Sequence, residues 1–183
     1  MISTTIKEAT KDEHQMLEVE VIKRLKAIRS DADYAALLQY FYNYFSSIEK
    51  VITPFITNEV LADYEQRRNS RYIKDDIQNL GEALNENNSV GLPVITSPLQ
   101  AMAALSVMEG SIMGGKIIVQ MLAKNGITKG TSFFEGYGAE TGNMWSTFTA
   151  ALNNQYQQEG DEKIASDTAN QTFACFRALF QQN

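Results

Sequence analysis

Two residue types that often carry chemistry occur once each in this chain, as His14 and Cys175. A Cys/His zinc site draws on about four such ligands. A zinc-protease helix and a two-histidine-one-carboxylate iron site each need two imidazoles. A carboxylate di-iron bundle needs paired Glu-x-x-His segments, whereas Lys11 stands three residues before His14. A single cysteine excludes a disulfide framework within the chain. Imidazole chemistry therefore runs through His14 alone. Glu18 lies four residues on and Lys7 seven residues back, which puts all three on roughly one helix face. A metal-bound imidazole commonly gives its second N–H to a carboxylate or carbonyl, fixing the tautomer and making the bound nitrogen a better donor. Glu18 suits that role, and Lys7 suits an anionic ligand beside the histidine. The alternative is a core histidine satisfied by its neighbours.

A second constellation is EGSIMGGK at 109–116. Three glycines inside one helix cost roughly 1 kcal/mol each relative to alanine. Gly110 and Gly114 are one turn apart and leave a bare strip. Two readings stay open: a tight helix–helix crossing, or a flat ligand lying against exposed backbone. A third stretch, FFEGYGAETG at 133–142, is followed by Trp145 and Phe148. Its aromatics either close a hydrophobic pocket or belong to the core. Finally, Phe173, Phe176 and Phe180 recur at core spacing beside Arg177, and Cys175 reads as a small buried hydrophobe.

The elements that must position these residues read as helices almost throughout. Thr5 and Glu8 form a capping box, which predicts a first helix over 5–28. Its apolar line is Ile6, Ala9/Thr10, Leu17, Val21, Leu25 and Ile28, and His14 sits on that line. Ser30-Asp31 caps a second helix, whose stripe is Tyr34, Leu37, Leu38, Phe41, Phe45, Ile48 and Ile52, and Pro54 ends it. A short helix is expected over 59–65, and another over 71–84 started by Ser70. Residues 85–96 read as a polar loop. Ser97 as cap, Pro98 at the first helical position and Gln100 open a helix running to Lys124, stopped by Asn125-Gly126. Two last helices are expected over 141–158 and 162–181, parted by Gly160. No convincing strand period is present. The expected fold class is a compact all-α single domain over 1–183, of some seven helices.

Composition narrows the partners. Net charge is −6 and no aromatic–basic interleaving occurs, so nucleic acid is not expected as a ligand. The uncharged run 87–108 is too rich in Pro, Asn, Ser, Thr and Gln for a membrane span. With no visible signal peptide, the chain is read as cytoplasmic. One basic cluster stands out, Lys23, Arg24, Lys26 and Arg29. It reads as favourable charge near a helix C-terminus, or as a docking patch for an acidic partner.

Taken in order, these stretches resemble the haem oxygenase family. IKEATKDEH at 6–14 is similar to the family's proximal helix, which ends on the histidine that binds haem iron. Glu18 falls where the family has a glutamate partnering that ligand. GSIMGG at 110–115 resembles the distal-helix motif whose glycines lie over the haem face. FFEGYGAETG at 133–142, with Trp145 and Phe148, resembles the bacterial branch. Two departures are visible. Many members have an aspartate after the first distal glycine, where this chain has Ser111. Animal-type members place basic residues for the propionates after the aromatic loop, but no base lies between Lys129 and Lys163. Lys7 matches the family's basic residue near the haem edge.

The resemblance implies haem b as both substrate and cofactor, opened with O2 to biliverdin, carbon monoxide and ferrous iron. It implies an all-α fold with haem between a proximal helix and a kinked distal helix. His14 would be the axial iron ligand, with the porphyrin supplying the other nitrogens. Gly110, Ser111 and Gly114 would shape the catalytic side. Lys7, Glu18, Gly115, Phe133, Phe134, Tyr137 and Phe173 would complete the haem-binding set. Electrons would come from an external donor such as a ferredoxin or a reductase, and a biliverdin acceptor is a further partner. The rival reading is a haem-binding or storage protein that never turns over.

Overall fold

In the computed structural model, which describes residues 1–86 and 90–182, the chain is all-α, with no strand among the described residues. Among the described residues eight α-helices follow in order: α1 (Ile2–Ala9), α2 (Lys11–Ala27), α3 (Asp31–Ile52), α4 (Ser70–Asn79), α5 (Pro98–Lys124), α6 (Ser132–Glu135), α7 (Thr141–Asn153) and α8 (Asp161–Leu179). The expected loop over 85–96 and the uncharged run over 87–108 fall partly on 87–89, which lie outside the described residues.

The expected first helix is two helices. It begins at Ile2, so Thr5 is internal, and its hydroxyl donates to the Met1 carbonyl (3.2 Å) instead of capping. The break falls at Thr10, whose buried hydroxyl donates to the Ile6 carbonyl at 2.8 Å. That back-bond joins the Thr10 N–H on the same carbonyl, and α2 restarts one residue later, three residues before His14. Ser30 caps α3 as expected, accepting from the Asp33 N–H at 3.1 Å. The expected helix over 59–65 is only a 3₁₀ turn, Tyr64–Gln66, and Asp63 just before it pairs with Arg67. α4 is capped by Asn69, not Ser70, whose N–H and hydroxyl both go to Glu49. It stops at Asn79 rather than 84, because Gly81 (φ 83°) closes a Schellman turn in which the Glu82 N–H donates to the Ile77 carbonyl.

α5 forms as expected, with Ser97 accepting from the Gln100 N–H and Gly126 (φ 81°) ending it. It is bent by 40° between Pro98–Met113 and Gly115–Lys124. It packs against α3, α6, α7 and α8. No single helix among the described residues is long and apolar enough to cross a membrane. α7 ends at Asn153, five residues short of expectation, because the Asp161 carboxylate accepts the N–H groups of Gln157 and Gln158 in a turn before α8. The core behind α5 is aromatic. Phe41 meets Phe45, Phe134 and Phe176 edge-on, at 5.0–5.6 Å between centroids.

Candidate haem site

A cleft of about 140 Å³ opens between α2 and α5, with one end of α8 as its floor. α2 contributes His14, Leu17, Glu18, Val21, Ile22 and Leu25. α5 contributes Val107, Gly110, Ser111, Gly114, Ile117, Ile118 and Met121, and α8 contributes Phe173 and Phe176. A second cleft shares His14, Gly110 and Phe173 with the first, and continues past Lys7, Met113, Trp145 and Thr149. The lining is mostly apolar with few polar groups, the composition of a small-molecule site.

His14 is an exposed residue on the cleft wall, so it is not a core histidine. Its ring lies 5.4 Å from the Phe173 ring, tilted by 52°. Glu18 is also exposed and lines the same wall. Among the described residues no hydrogen bond joins it to His14. Thr10 shares the second cleft, and its carbonyl accepts the His14 backbone N–H at 2.9 Å.

The glycines of α5 separate into two kinds. A Cβ built on Gly110 or Gly114 would meet nothing within 4 Å, so no neighbouring helix crosses there. A Cβ on Gly115 would lie 2.0 Å from the Phe134 carbonyl oxygen. The tight-packing reading therefore belongs to Gly115, and the bare strip of Gly110 and Gly114 faces the cleft. Exposed Met113 and Ile117 flank that strip, at 43% and 64% of full exposure. The Ser111 hydroxyl donates to the Val107 carbonyl at 3.1 Å, a back-bond that favours bending of the helix. Its oxygen remains free to accept.

The expected site residues thus divide. Lys7, His14, Glu18, Gly110, Ser111, Gly114 and Phe173 line the two joined clefts. Gly115, Phe133, Phe134 and Tyr137 line neither, and pack behind α5. Phe133 and Phe134 are fully buried, and α6 is anchored by Asp76, whose carboxylate accepts the Ser132 and Phe133 N–H groups at 3.0 and 2.9 Å. Burial pushes the Asp76 carboxyl above the usual range despite these bonds. Tyr137 donates to Glu109 and accepts the Arg68 N–H. Arg177 pairs with Glu13, next to His14, at 3.2 Å.

Sequence reasoning passed over one group entirely. Arg67 is 1% exposed and Glu109 2%, and they pair at 2.9 Å directly behind Gly110. Arg67 also forks onto Asp63 through Nε (2.8 Å) and Nη2 (2.7 Å). The only sequence signal was an i, i+4 Asp–Arg pair in a turn.

A bent helix with a bare glycine strip thus lines one apolar cleft together with the chain's single histidine. The family model described as "Heme oxygenase" matches residues 1–182. The chain belongs to the haem oxygenase family and is an oxidoreductase of that type. It is similar to the haem oxygenase of Xanthomonas campestris pv. campestris (strain 8004), at 27% identity over 149 residues, which are 80% of this chain and 88% of that protein. Its fold matches the NO- and CO-bound haem oxygenase from Neisseria meningitidis with a TM-score of 0.85, at 18% identity over 100% of this chain and 91% of that one. It also matches the haem oxygenase from Leptospira interrogans with a TM-score of 0.77, at 20% identity over 100% and 99%.

Proposed function

We propose that the joined clefts between α2 and α5 seat haem, with His14 as its axial ligand and Gly110 and Gly114 against the opposite face. The observation that carries this reading is the open glycine strip. Two helical glycines cost stability, and here no protein atom uses the space they leave. A flat macrocycle would use it. Bound there, haem supplies both the iron that works on O2 and the ring carbon that is oxidised, giving biliverdin, carbon monoxide and ferrous iron.

The chain's own residues then have separable tasks. The neutral imidazole of His14 holds the iron from one side. Phe173 beside it limits how the ring turns. Val107, Ile117, Ile118 and Met121 exclude water from the ring edge. The Ser111 oxygen is placed to accept a hydrogen bond from ordered water on the glycine side. Lys7 offers an ammonium to a propionate at the mouth of the second cleft. Electrons come from an external donor such as a ferredoxin or a reductase.

Haem turnover with product analysis tests this. The hemin complex supplied with a reductase, or with ascorbate, should lose its Soret band and gain biliverdin absorbance. A Soret band that persists with no biliverdin would leave a binding protein only. Lys7→Ala should weaken hemin binding or change the biliverdin isomer mixture. Unchanged affinity and isomer ratio would remove Lys7 from the site.

A further inference from the structure

We infer that Arg67 is a positioning residue, a brace that sets the spacing of two cleft walls from behind; the inference rests on the haem reading of that cleft. Arg67 lines neither of the two clefts, yet its guanidinium reaches three segments of the chain. Nη1 donates to Glu109 Oε2 (2.9 Å), one residue before Gly110 on α5. Nη2 donates to the Met144 carbonyl and to Thr147 Oγ1, both at 3.1 Å, on α7. Nε and Nη2 hold Asp63 in the turn before α4. The Phe148 ring lies 5.5 Å below the guanidinium carbon.

The residues so held alternate with residues that face the ligand. Gly110 follows Glu109, and Trp145 follows Met144; both line the second cleft. Thr149 lies two residues beyond Thr147 and lines it too. The brace therefore fixes how far the glycine strip stands from Trp145 and Thr149. Tyr137 extends it, donating to Glu109 Oε1 (3.2 Å) and accepting the Arg68 N–H (3.0 Å). A planar, always-charged fork suits this task, because one side chain satisfies acceptors on three elements in a fixed geometry. Replacing only one partner would strand a buried charge, and replacing both need not unfold the protein.

The test uses two variants and two readouts. The double variant Arg67→Met/Glu109→Leu removes the brace without leaving either charge. Thr147→Val, at an exposed side chain, cuts one of the two ties to α7 and leaves the bond to the Met144 carbonyl. In the apoprotein, amide exchange at 107–114 and 143–149 should accelerate in both variants, while α3 keeps its protection. A uniform change across the molecule, or none, would overturn the inference whether or not hemin binds. In the hemin titration, the double variant should bind about tenfold more weakly than the parent, and Thr147→Val less weakly than that but in the same direction. It should also give a broader biliverdin isomer mixture. Parental affinity and isomer ratio in both variants would overturn the brace. A parent that fails to bind hemin would instead overturn the haem reading and leave the exchange result to decide the brace.

Discussion

The two walls of the cleft are held in different ways. The glycine wall is fixed from behind by buried groups: Arg67 on Glu109, and Asp76 on α6, which in turn presses the Phe134 carbonyl into Gly115. The histidine wall buries Leu17, Val21 and Leu25 in the core, but its polar ties lie nearer the surface. Half-buried Arg177 pairs with Glu13 at 3.2 Å, Asn170 donates to the Ala9 carbonyl at 3.2 Å, and the helix itself is broken at Thr10. Surface ion pairs are worth about 0–1 kcal/mol, whereas breaking a buried pair costs about 3–5 kcal/mol. The strongest polar tie of the glycine wall is therefore buried, and those of the histidine wall are part-exposed.

The largest effect expected from breaking this comparison is at Gly115. Gly115→Ala drives a methyl into backbone and should destabilise the apoprotein by about 2–3 kcal/mol or more, read from chemical denaturation. Gly114→Ala, one residue away, should do the reverse. With open space at that Cβ and a helical position, the apoprotein should gain about 0.5–1 kcal/mol, while hemin affinity falls. Equal stability changes at the two glycines would show that the wall is not divided as described.

A smaller effect concerns pH. Burial pushes the Glu109 carboxyl above the ordinary glutamate range, and Arg67 and Tyr137 offset this only in part. A carboxyl raised in the fold binds protons more readily when folded than unfolded, so stability falls as pH rises through the window above the ordinary value of about 4.3. The melting temperature should therefore climb as pH is lowered from neutrality toward that value, and Glu109→Gln should flatten the climb. A parental slope retained in Glu109→Gln would contradict the assignment.

The smallest effect sharpens the contrast. Arg177→Ala should change apoprotein stability by no more than about 1 kcal/mol, and amide exchange should quicken near His14 but not at 107–114. Matching acceleration on both walls would mean that they move as one body.

The fold class and the histidine wall were readable because their signals are local. His14 is the single imidazole, and the capping of α3 and α5 rests on Ser30 and Ser97 a few residues from their partners. The break at Thr10 was not readable, since helical periodicity runs through it and only the hydroxyl back-bond marks it. The glycines were legible as costly, but their faces were not. Spacing alone left crossing and ligand readings open, and the structure shows close packing at Gly115 and open space at Gly110 and Gly114. The brace was illegible because its partners are 42 residues apart, and the anchoring of α6 because Asp76 and Phe133 are 57 apart. Phe133, Phe134 and Tyr137 were placed with the ligand by the family resemblance, while their residue types alone suited equally the core that they join.

The most direct measurement is a hemin titration of the parent and of His14→Ala, followed at the Soret band. The parent should show a saturable Soret shift characteristic of an imidazole-ligated iron. In His14→Ala that signature should be lost, since no second histidine exists in the chain to replace it. An identical shift in the variant, or no shift in the parent, would contradict the account.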